Sequence, residues 1–354
     1  MGAERRRDLV AYDPAMRVRR VAISLLASVA LLVTTPGAGV ASAAPATPTR
    51  TKPSAGCRAT PVAPGAEDVN TTSGGGPRSY LRTIPPSYHG RTPTPLVVDL
   101  HGYLEGAHLH ETSSQLGAFG DTHGFVTLTP QGSGDVAPGW EVEAGSRDVR
   151  YIEDLLDEAE RTLCVDEHRV YLAGYSNGAF LASTLACVDA KRIAAIATVA
   201  GLMDPPGCKP ARPVPIVAFQ GTGDEFVAYT GGLGERAKVT SANDGTGRML
   251  GDTSGGRAVA RSKSTPEVAA AWARRNRCTT KATETRVASD VTLVRYRCPN
   301  HADVELYRIE GGGHTWPGSQ FSRAIEASVG PTTFSINADE VLWTFFEAHP
   351  QAGK

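Results

Sequence analysis

The chain reads as an α/β fold, a mostly parallel central sheet with helices on both faces. Two observations predict it. Short, continuous apolar runs of the kind buried inside parallel sheets alternate with stretches of helical spacing. Several of these runs end at glycine-framed turns that carry a serine, an aspartate and a histidine, in that order. The bulk numbers agree: 354 residues, 41% hydrophobic and 21% charged, give an ordinary globular composition with length for a sizeable core.

The elements follow in order. Residues 1–43 read as an export signal. Arg5, Arg6, Arg7, Arg17, Arg19 and Arg20 precede an apolar stretch, Val21 to Val33, that is short for a membrane span, and Ala41-Ser42-Ala43 offers a cleavage site. Met16 is a second candidate start. The expectation is a secreted protein with no stable membrane span after signal removal. Without residues 1–43, which carry six arginines and three acids, the formal net charge moves from -1 to -4. No basic stripe remains, so nucleic acid is not an expected partner. Residues 44–76, rich in Pro, Ala, Thr and Gly, read as a tether or surface segment. The catalytic domain is expected over 77–350.

Ser79 to Ile84 alternates like a strand. Pro95 to Leu100 and Phe125 to Thr129 read as buried strands. Arg150 to Cys164 has helical spacing, with Ile152, Leu155, Leu156 and Ala159 on one side, a solvated acidic face opposite, and Asp148 as the expected N-cap. Val170 to Ala173 is a strand, followed by a helix over Ala179 to Cys187. Ile193 to Val199 and Pro215 to Phe219 are further buried strands. Residues 231–264, poor in large apolar side chains, read as an irregular insertion or lid. A helix starts at Thr265-Pro266-Glu267, strands lie near Val291–Tyr296 and Val304–Ile309, and a last helix begins near Asn337.

Six cysteines in an exported chain read as disulfides. Fifteen pairings are open. Locality favours Cys187 with Cys208 and Cys278 with Cys298, leaving Cys57 with Cys164. No C-x2-C pair speaks for zinc.

Four short motifs carry the chemistry: His101-Gly102, Gly174-Tyr175-Ser176-Asn177-Gly178, Gly221-Thr222-Gly223-Asp224 and Gly311-Gly312-Gly313-His314. Nucleophile, acid, histidine is the chain order of the α/β-hydrolase triad. Ser176 sits where a strand stops and a helix starts, with glycines that allow a tight turn. Asp224 is placed to orient a histidine and stabilise its imidazolium. His314 follows a strand on a glycine loop, expected to be mobile and close-packed, that suits a histidine whose ring must swing to the serine. Backbone amides of Asn177 and Tyr103 are the expected oxyanion donors, and His101 is expected to be structural. Trp140 and Trp316 are candidates for lining the substrate groove. His108-Leu109-His110-Glu111 reads as a loop or helix-start surface and not as a metal site. No metal or cofactor is called for.

These motifs, and above all Gly313-His314-Thr315-Trp316-Pro317-Gly318, resemble the polyhydroxybutyrate depolymerase and feruloyl esterase family of secreted esterases, the carbohydrate esterase family 1 type. The resemblance covers roughly residues 77–347. It implies an α/β-hydrolase fold and ester hydrolysis through an acyl-serine, with Ser176, Asp224 and His314 as triad and a feruloyl-polysaccharide or hydroxyalkanoate ester as substrate. Gln220 stands where the family usually has a histidine before the acid motif, and Val227-Ala228-Tyr229 where it often has Val-Pro-Tyr. Two other readings of the same residues are an acyltransferase, which an added acceptor alcohol would reveal, and a non-catalytic binding protein, which would leave Ser176 unlabelled by a fluorophosphonate.

Overall fold

In a computed structural model of the chain, residues 51–133, 137–239, 263–279 and 281–351, with Arg257, are described. All lie in the second of two units, Pro48–Lys354. The expected export signal falls outside the described residues, as does most of the 231–264 insertion.

The sheet has ten strands in the order β1-β2-β4-β3-β5-β6-β7-β10-β9-β8. They are β1 (Gly65–Ser73), β2 (Gly76–Ile84), β3 (Thr94–Leu100), β4 (Val126–Pro130), β5 (Val165–Tyr175), β6 (Ala195–Val199), β7 (Ile216–Gly221), β8 (Thr283–Ala288), β9 (Val291–Tyr296) and β10 (Val304–Ile309). From β4 through β3, β5, β6 and β7 to β10 every neighbour is parallel. Antiparallel strands finish both edges.

The central strands are buried on both faces because alternate residues enter two different cores. Val98, Leu172 and Ile216 join one cluster, while Val97, Tyr171 and Val217 join the other. The first core is closed by α3 (below) through Ile152, Leu155 and Leu156, and by the helix Thr265–Arg275 through Val268 and Trp272. The second is closed by Leu342, Trp343, Phe345 and Phe346 of the last helix, Ala338–Ala348. Helices α1 (Gly106–Ser114), α2 (Leu116–His123), α3 (Arg147–Thr162) and α4 (Asn177–Val188) lie between β3 and β6 in the chain. The three disulfides are Cys57–Cys164, Cys187–Cys208 and Cys278–Cys298, the pairing that locality favours.

Three expectations need correction. The tether reading fails over 51–76. Ser54 donates its N–H to Val165 O, Gly56 lies so close to Leu163 that a Cβ would overlap its carbonyl, and β1 pairs residue for residue with β2 across Gly74-Gly75. β1 escaped the periodicity because it is an edge strand exposed along most of its length. The acidic face of α3 is not simply solvated. Thr71 Oγ1 and Tyr80 Oη donate to Glu158 at 2.7 and 3.1 Å, and Ser73 Oγ to Asp154 at 2.6 Å, so the hairpin docks on it. The N-cap of α3 is Ser146, whose hydroxyl accepts from Val149 N. Asp148 is instead buried in the first turn, where it accepts from Arg78, from Ser133 and from Glu141 N.

Candidate active site

Ser176, Asp224 and His314 each stand just past the C-terminal end of a parallel strand: β5, β7 and β10. Those strands lie within four positions of one another in the sheet, so their loops meet on one edge.

Ser176 has φ 51° and ψ −115°, a conformation that L residues rarely adopt. The strain is held from both sides. A Cβ on Gly174 would come within 2.6 Å of Gly178 O, and one on Gly178 within 2.1 Å of Leu100 O. Helix α4 can therefore approach β5 closely only with glycine at 174, and the end of β3 only with glycine at 178. Ser176 N donates to Val199 O, which ties the turn to β6. The turn ends in α4, so the Asn177 amide is its first helical N–H and has no intrahelical acceptor.

Asp224 is buried and fully engaged. Its Oδ1 accepts from Phe226 N and Val227 N at 2.8 and 2.9 Å. Its Oδ2 lies 2.8 Å from His314 Nδ1 and accepts at 2.8 Å from Gln220 Nε2. Gln220, the departure from the family pattern, therefore fixes the carboxylate without competing for the histidine. The contact with Asp224 sets the proton on Nδ1 of His314 and leaves Nε2 as the basic nitrogen.

The glycines around His314 allow the close packing expected of this loop. A Cβ on Gly221 would lie 2.1 Å from Gly312 O, and one on Gly313 2.3 Å from Val329 O. Gly223 N donates to Gly312 O, and His314 N to Val329 O. The acid and histidine loops thus interlock. The His314 ring lies 5.0 Å from the rings of Tyr175 and Phe226, and Tyr175 Oη donates to His314 O at 2.6 Å. Tyr175 immediately precedes Ser176, so this bond links the Ser176 turn to the His314 loop.

The chain after β3 closes the site. A Cβ on Gly139 would lie 2.8 Å from the Tyr103 ring and 3.3 Å from Asn177 Oδ1, so both expected oxyanion residues flank the same glycine. His101 is structural, as expected. It is wholly buried, its Nε2 accepts from Gly132 N, and its Nδ1 donates to Gly102 O. Burial pushes its pKa down to about 4, which keeps it neutral.

Trp140 and Trp316 do not line a groove. They are 4% and 1% exposed. Trp140 Nε1 donates to His101 O and its N to Asn177 Oδ1, while Trp316 Nε1 donates to Asp339. Both are scaffold for the residues that line the site.

One group escaped the sequence reading. The His108–Glu111 stretch lies in α1, with His108 exposed beside Asp68, but His110 is wholly buried. His110 Nε2 lies 2.9 Å from Asp99 Oδ1 and its Nδ1 3.0 Å from Glu105 Oε2. Burial alone would lower its pKa, but the two carboxylates outweigh it and push the value up to about 10. Glu105 Oε2 also accepts from Gly102 N at 2.7 Å, beside Tyr103. A buried cation thus holds the loop after β3 through one carboxylate. The three residues lie within twelve positions but on a strand, a loop and a helix, so no single period relates them, and only His110 falling on the inner side of α1 could have hinted at it. Among the described residues, no group of three or more His, Cys, Asp or Glu is arranged to hold a metal, and no helix is long and apolar enough to cross a membrane.

The chain is similar to known esterases. It is 28% identical over 246 residues to feruloyl esterase B of Piromyces equi, covering 67% of this chain and 42% of that one. It is 28% identical over 181 residues to feruloyl esterase D of Neurospora crassa, covering 49% of this chain and 62% of that one. The chain therefore spans less than half of the Piromyces protein and under two thirds of the Neurospora one. An acetyl xylan esterase from Aspergillus awamori matches in structure with a TM-score of 0.50 at 12% identity, over 80% of this chain and 99% of that one. That likeness is one of fold. No family model matches the chain. The expected α/β-hydrolase fold and the resemblance to feruloyl esterases are both borne out.

Proposed function

We propose that this relative of the feruloyl esterases is a secreted serine carboxylic ester hydrolase that works through an acyl-serine on feruloyl-polysaccharide or hydroxyalkanoate-type esters. The observation that carries the reading is the buried 2.8 Å contact between Asp224 and His314, on loops interlocked beside a strained serine turn. In this mechanism His314 Nε2 takes the Ser176 proton as Oγ attacks the ester carbonyl. The Asn177 and Tyr103 amides stabilise the oxyanion. His314 then protonates the leaving alcohol, takes a proton from water as its oxygen attacks the acyl carbon, and returns that proton to Ser176 Oγ as the acid leaves. Asp224 accepts the His314 Nδ1–H and stabilises the imidazolium. Export is supported by the N-terminal signal pattern together with three disulfides.

The test is kcat/KM of the mature protein on methyl ferulate and on a soluble 3-hydroxybutyrate oligomer, side by side. Ser176→Ala should reduce turnover by about 10⁴-fold or more on whichever ester is cleaved, with an unchanged circular dichroism spectrum. Equal activity in Ser176→Ala would rule the assignment out.

A further inference from the structure

Beside the site lies a recess of about 770 Å³. The tip of the β1–β2 hairpin, the end of β4 and the first turn of α3 form its walls. Asn70, Ser73, Gln131, Arg78, Arg147 and Arg150 contribute polar side chains to it. Among its described lining residues the three arginines are the only ionisable groups, and none is aromatic.

The arginines differ. Arg78 is fixed, donating to Asp148 at 2.6 Å and Ser133 at 3.0 Å, and its charge is balanced by Asp148. Arg147 pairs with Glu141 at 2.9 Å, but both side chains are exposed, so water screens the pair and the guanidinium is free to exchange partners. Arg150 is exposed and has no carboxylate partner among the described residues. Arg147 and Arg150 also stand in the first turn of α3, where the helix dipole disfavours cations.

The recess is one loop away from the oxyanion residues. Gly132, in its wall, donates its N–H to His101, and Ser133 pairs with Gly139, which packs on Tyr103 and Asn177. We propose that the recess binds a uronate unit of the polysaccharide whose ester lies at Ser176. The forked guanidinium groups of Arg147 and Arg150 would take the carboxylate, while Asn70, Ser73 and Gln131 take hydroxyls. This rests on the esterase reading above and adds the class of sugar chain to it.

The experiment compares the mature protein with its Arg147→Glu/Arg150→Glu variant on methyl ferulate, on a feruloylated neutral arabinoxylan oligosaccharide, and on feruloylated oligosaccharides bearing glucuronate or galacturonate. Wild type should prefer the uronate substrates. The variant should lose about tenfold in kcat/KM on them, through KM, and the wild-type preference should fade in high salt. Methyl ferulate and the neutral oligosaccharide should be unaffected. The two uronate arms tell which acid fits. Calorimetry with trigalacturonate and with a glucuronate-bearing xylo-oligosaccharide reads the recess directly. Binding of either probe by wild type and not by the variant supports the proposal even if no ester is cleaved, an outcome that would fail the esterase reading alone. Equal losses on all substrates, no uronate preference in wild type, or failure of wild type to bind both probes would overturn it.

Discussion

Ser176 combines strain and support: glycines on both sides make room for its turn with φ 51°, its own N–H bonds to β6, and Tyr175 before it bonds to the His314 loop. The proposed triad was legible in sequence because each member sits in a glycine frame whose steric role is local. The Glu105–His110–Asp99 group was not, because a buried charge pair has no local pattern. It gives a residue-scale prediction. Glu105→Ala removes the acceptor of Gly102 N–H and should loosen the loop that carries Tyr103. We expect kcat on methyl ferulate to fall about 10- to 100-fold with KM within about twofold, since donors aimed at the oxyanion act mainly in the transition state. Glu105→Gln, whose amide oxygen can still accept, should recover part of the loss. A variant with unchanged kcat and a lower Tm would make Glu105 scaffold only.

Among the elements, the buried parallel strands were legible because their residues are apolar on both faces. Edge strands β1 and β8 were missed: one reads as Gly, Asp, Asn and Thr, the other as Thr, Glu and Arg, and both are largely exposed. Helices α1 and α2 were missed because small residues and histidines blur their period. The N-terminal segment shows how order arises without apolar pattern, through backbone pairing, side-chain bonds to α3 and the Cys57–Cys164 bond. That bond spans 107 positions. Replacing both cysteines by serine should cost about 2–5 kcal/mol, read by urea denaturation, with activity retained under folding conditions. A loss below about 0.5 kcal/mol would mean that the bonds of Lys52 N to Asp166 Oδ1 and of Ser54 N to Val165 O hold the segment unaided.

For the molecule as a whole, buried titratable groups give stability a defined pH dependence. Burial and nearby carboxylates raise Glu111 to about 7 and Asp339 to about 8, and His110 lies near 10. Each holds in the folded state a proton that the unfolded chain releases earlier. Unfolding stability therefore falls as pH rises between the two values of each group. His101 acts oppositely, but only between about 4 and its ordinary value near 6.5. Tm should thus fall from pH 7 to 10. Asp339→Asn, which keeps an oxygen for Trp316, should have the higher Tm at pH 9 and a flatter profile below pH 8. A Tm that rises over this range would contradict the burial argument. The central claim concerns Ser176, and it has a direct test. The mature protein is treated with a fluorophosphonate, and the adduct is located by peptide mass analysis, with Asp224→Asn alongside. The account predicts one adduct per chain, on Ser176, formed at least about a hundredfold more slowly in Asp224→Asn because His314 loses its orienting carboxylate. An adduct on another residue, or none while the protein is folded, would contradict it.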